Sequence, residues 1–329
     1  MKVALAIIAG LAALGLVCCL GTMALGIFSL DDATPSPVAA AQGTRTDFAL
    51  KPPATFTTTP QGHWRRETKD DLAQLWLDVQ RLQPIPGLDD AQNKVSTLWA
   101  AILTNHYEGV TDHPLVMRRF VANGARAHFA SALLINKKDH QRYWLSLYLV
   151  EADDHLEPFL FTQGCVPLSM GSEMIIEFSW PKSHVFVEDF ITGIHGSPTG
   201  LPLLEEDEVT GHFTFGDNST AQWINTVTGA TSMTAVARAI EYTFADDGTY
   251  TYSFVGGSGQ VGAIKFGTDK DEGTWKVEHD LLVLTGQKWQ RKLLIHGAPR
   301  GPQGQRMLLL QSEPYTFAPG SIGDVFIEK

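Results

Sequence analysis

Gly257, Gly259 and Gly262 reproduce the G-x-G-x-x-G spacing of a dinucleotide loop and follow a predicted strand. That spacing holds a pyrophosphate only where a helix starts at once and aims its free N–H groups at the phosphates. Here Ala263-Ile264-Lys265-Phe266 follows, then Gly and Asp, which is strand and turn. The glycines therefore predict a flexible hairpin loop. Asp269, Asp271 and Glu272, just before Gly273, offer hard oxygen donors. A calcium loop needs a further acidic position, a central glycine, a closing glutamate and flanking helices. A turn linking two strands accounts for them instead. Glu151, Asp153, Asp154, His155 and Glu157 form a second acidic group, read as a surface hairpin, with a weak hard-cation site as the alternative.

Nucleophilic chemistry has little to work with. The 11 histidines never take the H-x-x-x-H or H-E-x-x-H spacing that puts two imidazoles on one helix face. Ser258 lacks the second glycine of a nucleophile elbow, since Gln260 stands there. Cys165 reads as a small apolar filler. Arg118 and Arg119, with Arg126 beyond Asn123-Gly124, form the densest basic group. Neighbouring strand residues face opposite ways, so one of the two arginines is expected to be partly buried and paired with an acid. An anion or carboxylate site is the alternative. Asn218-Ser219-Thr220 is a formal glycosylation sequon. No catalytic residue, cofactor or metal site is predicted.

Elements must hold these groups in place. Thr68 and Asp71, followed by Leu72, Leu75, Trp76, Val79 and Leu82, predict a first helix that Pro84, Pro86 and Gly87 end. A second opens at Asp89-Asp90 and carries Val95, Leu98, Trp99, Ile102 and Leu103 on one face. Strands are predicted over 115–121, 126–135, 143–150, 157–162, 173–180 and 183–190, with Asn123-Gly124 as a hairpin signal. Residues 63–203 thus read as an α+β domain with both helices on one face of an antiparallel sheet. Residues 204–209 read as an exposed acidic connector. Beyond Thr210, short strands are expected at 240–244 and 249–255, 273–277 and 281–285, and 292–296 and 306–311, with a short helix over 232–239 as an option. About eight strands with regular turns suggest a small meander barrel or sandwich over 210–329.

Ahead of these regions, Val3–Leu30 is apolar and uncharged, long enough to span a bilayer as a helix. Lys2 on one side and Asp31-Asp32 on the other predict a cytoplasmic N-terminus and an extracytoplasmic remainder. Cleavage near Ala39-Ala40-Ala41, giving a secreted product, is the alternative. Cys18 and Cys19 follow no small residue and read as part of the helix rather than as lipidation sites. Residues 31–62, rich in Pro, Thr, Ala and Gln, read as a flexible spacer. The whole chain carries a net charge of −11, which argues against nucleic acid as a partner. Most of that acidity falls on residues 31–209, with 14 basic and 24 acidic groups, against 10 and 12 over 210–329. A solvated surface explains it, and a docking face for a basic partner is the alternative.

The segments GHF at 211–213, YTFADDGTYTYSF at 242–254 and EGTWKVEHDLLVLTG at 272–286 together resemble small bacterial lipocalin-like domains. The resemblance covers about 100 residues, and Phe213 stands where that pattern has Trp. It implies a calycin-type barrel that binds a small apolar ligand and carries no catalytic residue. Phe244, Tyr250, Tyr252, Phe254 and Trp275 are then the candidate ligand-binding residues.

The expected fold class is α+β: an N-terminal transmembrane helix, an α+β domain and a C-terminal β-barrel or sandwich. The expected partners are the lipid bilayer, through residues 3–30, and a small apolar ligand; the expected role is binding rather than catalysis. Two alternatives stay open. One is a hydrolase with its site in 63–200, built from His106, His113, His155, Cys165 or the arginine pair. The other is a structural, partner-binding envelope protein.

Overall fold

The computed structural model describes residues 48–69, 73–111, 113–121, 124–167, 185–196, 202–224, 231–260, 263–312 and 323–329. The apolar run 3–30, the cleavage site near Ala41, the strand expected over 173–180, Asn123 and Gly262 all lie outside them. The fold class is corrected: the described residues are mostly β, with 59% strand against 11% helix. Among the described residues no helix is long and apolar enough to cross a membrane.

Much of the correction comes from one segment. The region expected to form the first helix is two paired strands, β3 (Trp64–Lys69) and β4 (Ala73–Arg81). Strand β4 is buried on both faces, with Leu75, Leu77 and Val79 in one core and Trp76 in another. A strand covered on both sides has apolar residues at either parity, so a helical spacing can be picked out of it. The two-residue strands β1 (Ala49–Leu50) and β2 (Thr57–Thr58) precede it, inside the stretch read as spacer, and Phe56 between them is a core residue. After β5 (Ile85–Pro86), the second expected helix is present as α1 (Ala91–Leu103). It buries Ala91, Val95, Trp99 and Leu103, one residue per turn.

Next come β6 (Tyr107–Glu108), β7 (Met117–Phe120), β8 (Arg126–Asn136), β9 (Arg142–Glu151) and β10 (His155–Pro167). They complete an antiparallel sheet in the order β2-β3-β4-β10-β9-β8-β6, with β5 on β10 and β7 on β8. A short helix, α2, follows over 185–191, where a strand was expected. It brings Phe186, Val187, Phe190 and Ile191 onto the face of Leu75, Val79, Tyr148 and Phe161, while α1 covers the opposite face. One helix therefore lies on each face, not two on one. After β11 (Ile194–His195), which pairs with β1, the connector forms the single turn α3 (Glu206–Val209). Leu203, Leu204 and Val209 are buried, while Glu205, Glu206 and Asp207 between them are exposed, so the connector is anchored at its apolar ends and presents its acids outward.

The C-terminal region is a closed antiparallel barrel of eight strands in consecutive order. They are β12 (Gly211–Ile224), β13 (Thr231–Phe244), β14 (Thr249–Gln260), β15 (Lys265–Glu278), β16 (Leu281–Gly286), β17 (Gln290–Gly297), β18 (Met307–Ser312) and β19 (Asp324–Glu328). Strand β13 runs through 232–239, so no helix forms there. All three expected strand pairs occur, and β19 closes the barrel on β12. Asp269, Asp271 and Glu272 lie inside β15 rather than in a turn. Strands β12–β15 have 12 to 14 residues and β16–β19 only 5 to 8, so the barrel has one long-strand rim.

Sheet and barrel meet along β7, β17 and the connector. Phe120 of β7 packs into the barrel core and lies against the His279 ring, centroids 4.0 Å apart. The backbone N–H of Leu203 donates to the His279 carbonyl at 2.8 Å. Gly297, at φ 144°, lets β17 approach β7: a Cβ there would sit 3.1 Å from the Arg118 nitrogen.

Candidate ligand-binding sites

All five aromatic residues singled out from the sequence sit in the barrel core. Phe244, Tyr250, Tyr252 and Trp275 are buried, and Phe254 is partly buried against them. Tyr250, Tyr252 and Phe254 alternate along β14, so they share its inner face. At the short-strand end the interior is filled. Phe213 is fully buried beside Phe244, and Trp275 packs edge-on to Phe244 while donating its indole N–H to the Ala245 carbonyl at 3.1 Å. Phe213 thus fills the place where the lipocalin-like pattern has Trp, and Leu203, Leu204 and Val209 of the connector join the same core.

Towards the long-strand rim the interior turns mixed. Phe215, Ile240, Phe254 and Trp289 are only partly buried. Arg238 shares the inner parity of Ile240 and Tyr242, sits 4.7 Å over the Phe215 ring and pairs with Asp324 at 3.0 Å. Arg291 stacks over Trp289 at 3.7 Å and Tyr252 at 4.9 Å. Burial opposes its charge, but bonding to the Tyr252 and Tyr242 hydroxyls outweighs this and raises its pKa. Asp271 is buried and accepts from the Tyr250 hydroxyl at 3.2 Å. Gly286 makes room for that contact, since a Cβ there would fall 1.8 Å from the Asp271 carboxylate.

A second site lies outside the barrel, in a cleft of about 510 Å³ between the sheet, the start of α1, the connector and the 298–306 segment. Period-two alternation puts Arg118, Arg126, His128 and Glu151 on the α1 face of β7, β8 and β9. Arg118 donates from both terminal nitrogens to Glu208, at 2.7 and 2.6 Å. Arg126 bonds both oxygens of Glu151 at 3.1 Å and reaches Glu205 at 3.0 Å. His128 Nε2 lies 2.8 Å from Glu151. Burial pushes the His128 imidazole pKa down, against the pull of Glu151. Burial also pushes the Glu151 carboxyl up, but the His128 hydrogen bond and Arg126 outweigh it and hold it below the ordinary value. The neutral ring therefore donates from Nε2 to the carboxylate, which leaves Nδ1 a bare acceptor. That atom is buried and has no hydrogen-bond partner among the described residues. His128 and Glu208 escaped sequence reasoning. The signal was there in Arg126-Ala127-His128-Phe129, two polar residues at one parity at the start of a largely apolar strand.

The remaining predicted groups are dispersed. Arg119, on the other face from Arg118, pairs with Glu188 of α2 at 2.7 and 2.8 Å, so both arginines of the pair hold acids. The acidic hairpin splits in the same way: Glu151 faces α1, while Glu157 faces α2 and takes Arg81 at 2.9 and 3.0 Å. His155 and Cys165 lie ten residues apart on β10, about 33 Å at the rise of an extended strand, so they form no dyad. His106 ends the turn after α1, where its carbonyl accepts from Lys137, and His113 lies in the following loop. Among the described residues no group of three or more His, Cys, Asp or Glu could hold a metal ion. Comparison of the chain with protein-family models, curated proteins and solved structures finds no match to any of them.

Proposed function

We propose that this is a non-enzymatic binding protein whose barrel is lipocalin-like and holds one small amphipathic ligand at its long-strand rim. The observation that carries this reading is the contrast inside the barrel. The short-strand end is closed by Phe213, Phe244 and Trp275, whereas the rim keeps Phe215, Ile240 and Phe254 half-covered beside two inward arginines. Eight strands enclose an interior that holds either packed side chains or one small ligand. Half-covered apolar groups suit a hydrocarbon tail, and Arg238 and Arg291 suit a carboxylate or similar anionic head.

Native mass spectrometry of the full chain, purified without added lipid, tests the reading together with titration by palmitate followed through tryptophan emission. Saturable quenching is expected, weakened about tenfold by Arg291→Ala, because a charge-assisted hydrogen bond contributes about 1.5–3 kcal/mol. A ligand-free mass together with unchanged emission on adding palmitate overturns it.

A further inference from the structure

The cleft beside His128 lies outside the barrel, and its free valences can be counted. Arg118, Arg126 and Arg306 are each engaged, with Glu208, with Glu151 and Glu205, and with Glu328. Arg300 is exposed, donates from one terminal nitrogen to the Gly304 carbonyl at 3.4 Å and forms no ion pair among the described residues. Backbone pairing sets it opposite Arg306 on the same wall. The start of α1 also opens on the cleft: Asp90 adopts a left-handed conformation and its side chain makes no capping bond to the first-turn N–H groups. Among the described residues the acceptors that receive no side-chain hydrogen bond include His128 Nδ1, buried at 4% exposure, and the carboxylates of Asp90 and Asp207 at the rim, the latter near the charge of Arg306.

A ligand matched to this inventory brings one negative charge for Arg300 and the helix start. It brings more than one hydrogen-bond donor, for His128 Nδ1 and the rim acids. It must also be polar throughout, because the walls are mostly ionised groups. A simple anion leaves His128 unsatisfied and meets the carboxylates with nothing to donate, while a neutral polyol leaves Arg300 unused. A buried acceptor without a donor costs free energy that a bound hydroxyl recovers. We propose that the cleft is a second binding site for a small polyhydroxylated acid of the sugar-acid class, with its carboxylate on Arg300 and a hydroxyl donating to His128 Nδ1. A volume of about 510 Å³ accommodates a molecule of that size.

The test is calorimetric titration of the full chain with D-glucuronate, D-glucose and acetate, with ¹⁵N-histidine NMR of the same samples. Glucuronate is expected to bind one to one and to shift the Nδ1 resonance of His128. Arg300→Ala, a change at an exposed side chain, is expected to weaken glucuronate about tenfold and to leave any glucose binding unchanged. His128→Phe removes the acceptor and the NMR signal together, so the Arg300 variant and the resonance shift carry the test if that chain fails to fold. Failure of glucuronate to bind at millimolar concentration overturns the proposal. So does acetate competing equally with it, or glucuronate binding that neither moves the His128 resonance nor responds to Arg300→Ala. None of these outcomes depends on whether the barrel holds a ligand.

Discussion

Two clusters of one histidine, one glutamate and one arginine stand on opposite faces of the sheet, and they differ in what lies across from them. On the α2 face, His155 is bonded at both nitrogens, to Glu157 at 2.9 Å and Asp154 at 3.1 Å. Its arginine, Arg81, keeps 41% of its side chain exposed over the Phe48 ring. On the α1 face, His128 is bonded at one nitrogen only among the described residues, and its arginine, Arg126, is 13% exposed beneath the connector. The same three residue types thus make a closed structural knot on one side and an incomplete one on the other. Composition does not separate them; covering does. A satisfied buried network explains itself by folding, whereas one with a spare acceptor beside a cleft has a valence left for something outside the chain.

Removing the central carboxylate should separate the two clusters most widely. Glu151→Gln leaves Arg126 nearly buried with half its partner gone, and breaking such a pair from one side costs about 3–5 kcal/mol. Glu157→Gln leaves an arginine that water already reaches, and about 1–2 kcal/mol is expected. Urea denaturation of both variants, monitored by tryptophan fluorescence, measures the difference. Equal losses would mean that the connector gives Arg126 no more shelter than Arg81 has.

The neighbouring arginines extend the comparison across one strand. Arg118 and Glu208 are 13% and 26% exposed, and their two-point contact ties the sheet to the connector. Arg119 and Glu188 are 32% and 40% exposed and tie it to α2. Double-mutant cycles with alanine should give a coupling of about 2 kcal/mol for the first pair and under about 1 kcal/mol for the second, since exposed pairs are weakened by solvent and salt. A larger coupling for Arg119 and Glu188 would reverse the assignment of which contact is sheltered.

The sequence made these features legible to different depths. Period-two alternation was enough to place Arg118 and Arg119 on opposite faces and to imply a buried ion pair, because strand parity is local. The β13–β14, β15–β16 and β17–β18 pairs were legible for the same reason, since each is joined by its own turn. Strand β4 was not, because its neighbour β10 and the helix over 185–191 come from distant segments, and only the burial of both its sides distinguishes it from a helix. The cleft was hidden for a stronger reason. Its walls are β7–β9, the start of α1, the connector and the 298–306 segment, which no local spacing connects. The acidity of residues 205–208 looked like a solvated surface, and Glu205 is indeed exposed, yet Glu205 and Glu208 both pair with arginines some eighty to ninety positions away.

The smallest effect isolates the histidine itself. Burial keeps His128 neutral in the fold, below its ordinary pKa of 6.5, and the charges of Arg118 and Arg126 add to that effect. The unfolded chain then binds this proton more readily than the folded one, so acid favours unfolding at this site. The contribution is complete above pH 6.5 and drains away as the pH falls below it. Glu151, held below the ordinary carboxyl value, stays ionised over this range and adds no slope of its own. Between pH 6.5 and 5.5 the wild-type chain should lose about 1 kcal/mol more than a His128→Gln chain, in which an amide N–H can still serve Glu151. Urea midpoints at half-unit pH intervals resolve that slope. Parallel curves for the two chains would mean that His128 takes up its proton in the folded state at ordinary pH. The bare acceptor would then be a donor, and the cleft would favour ligands rich in acceptors.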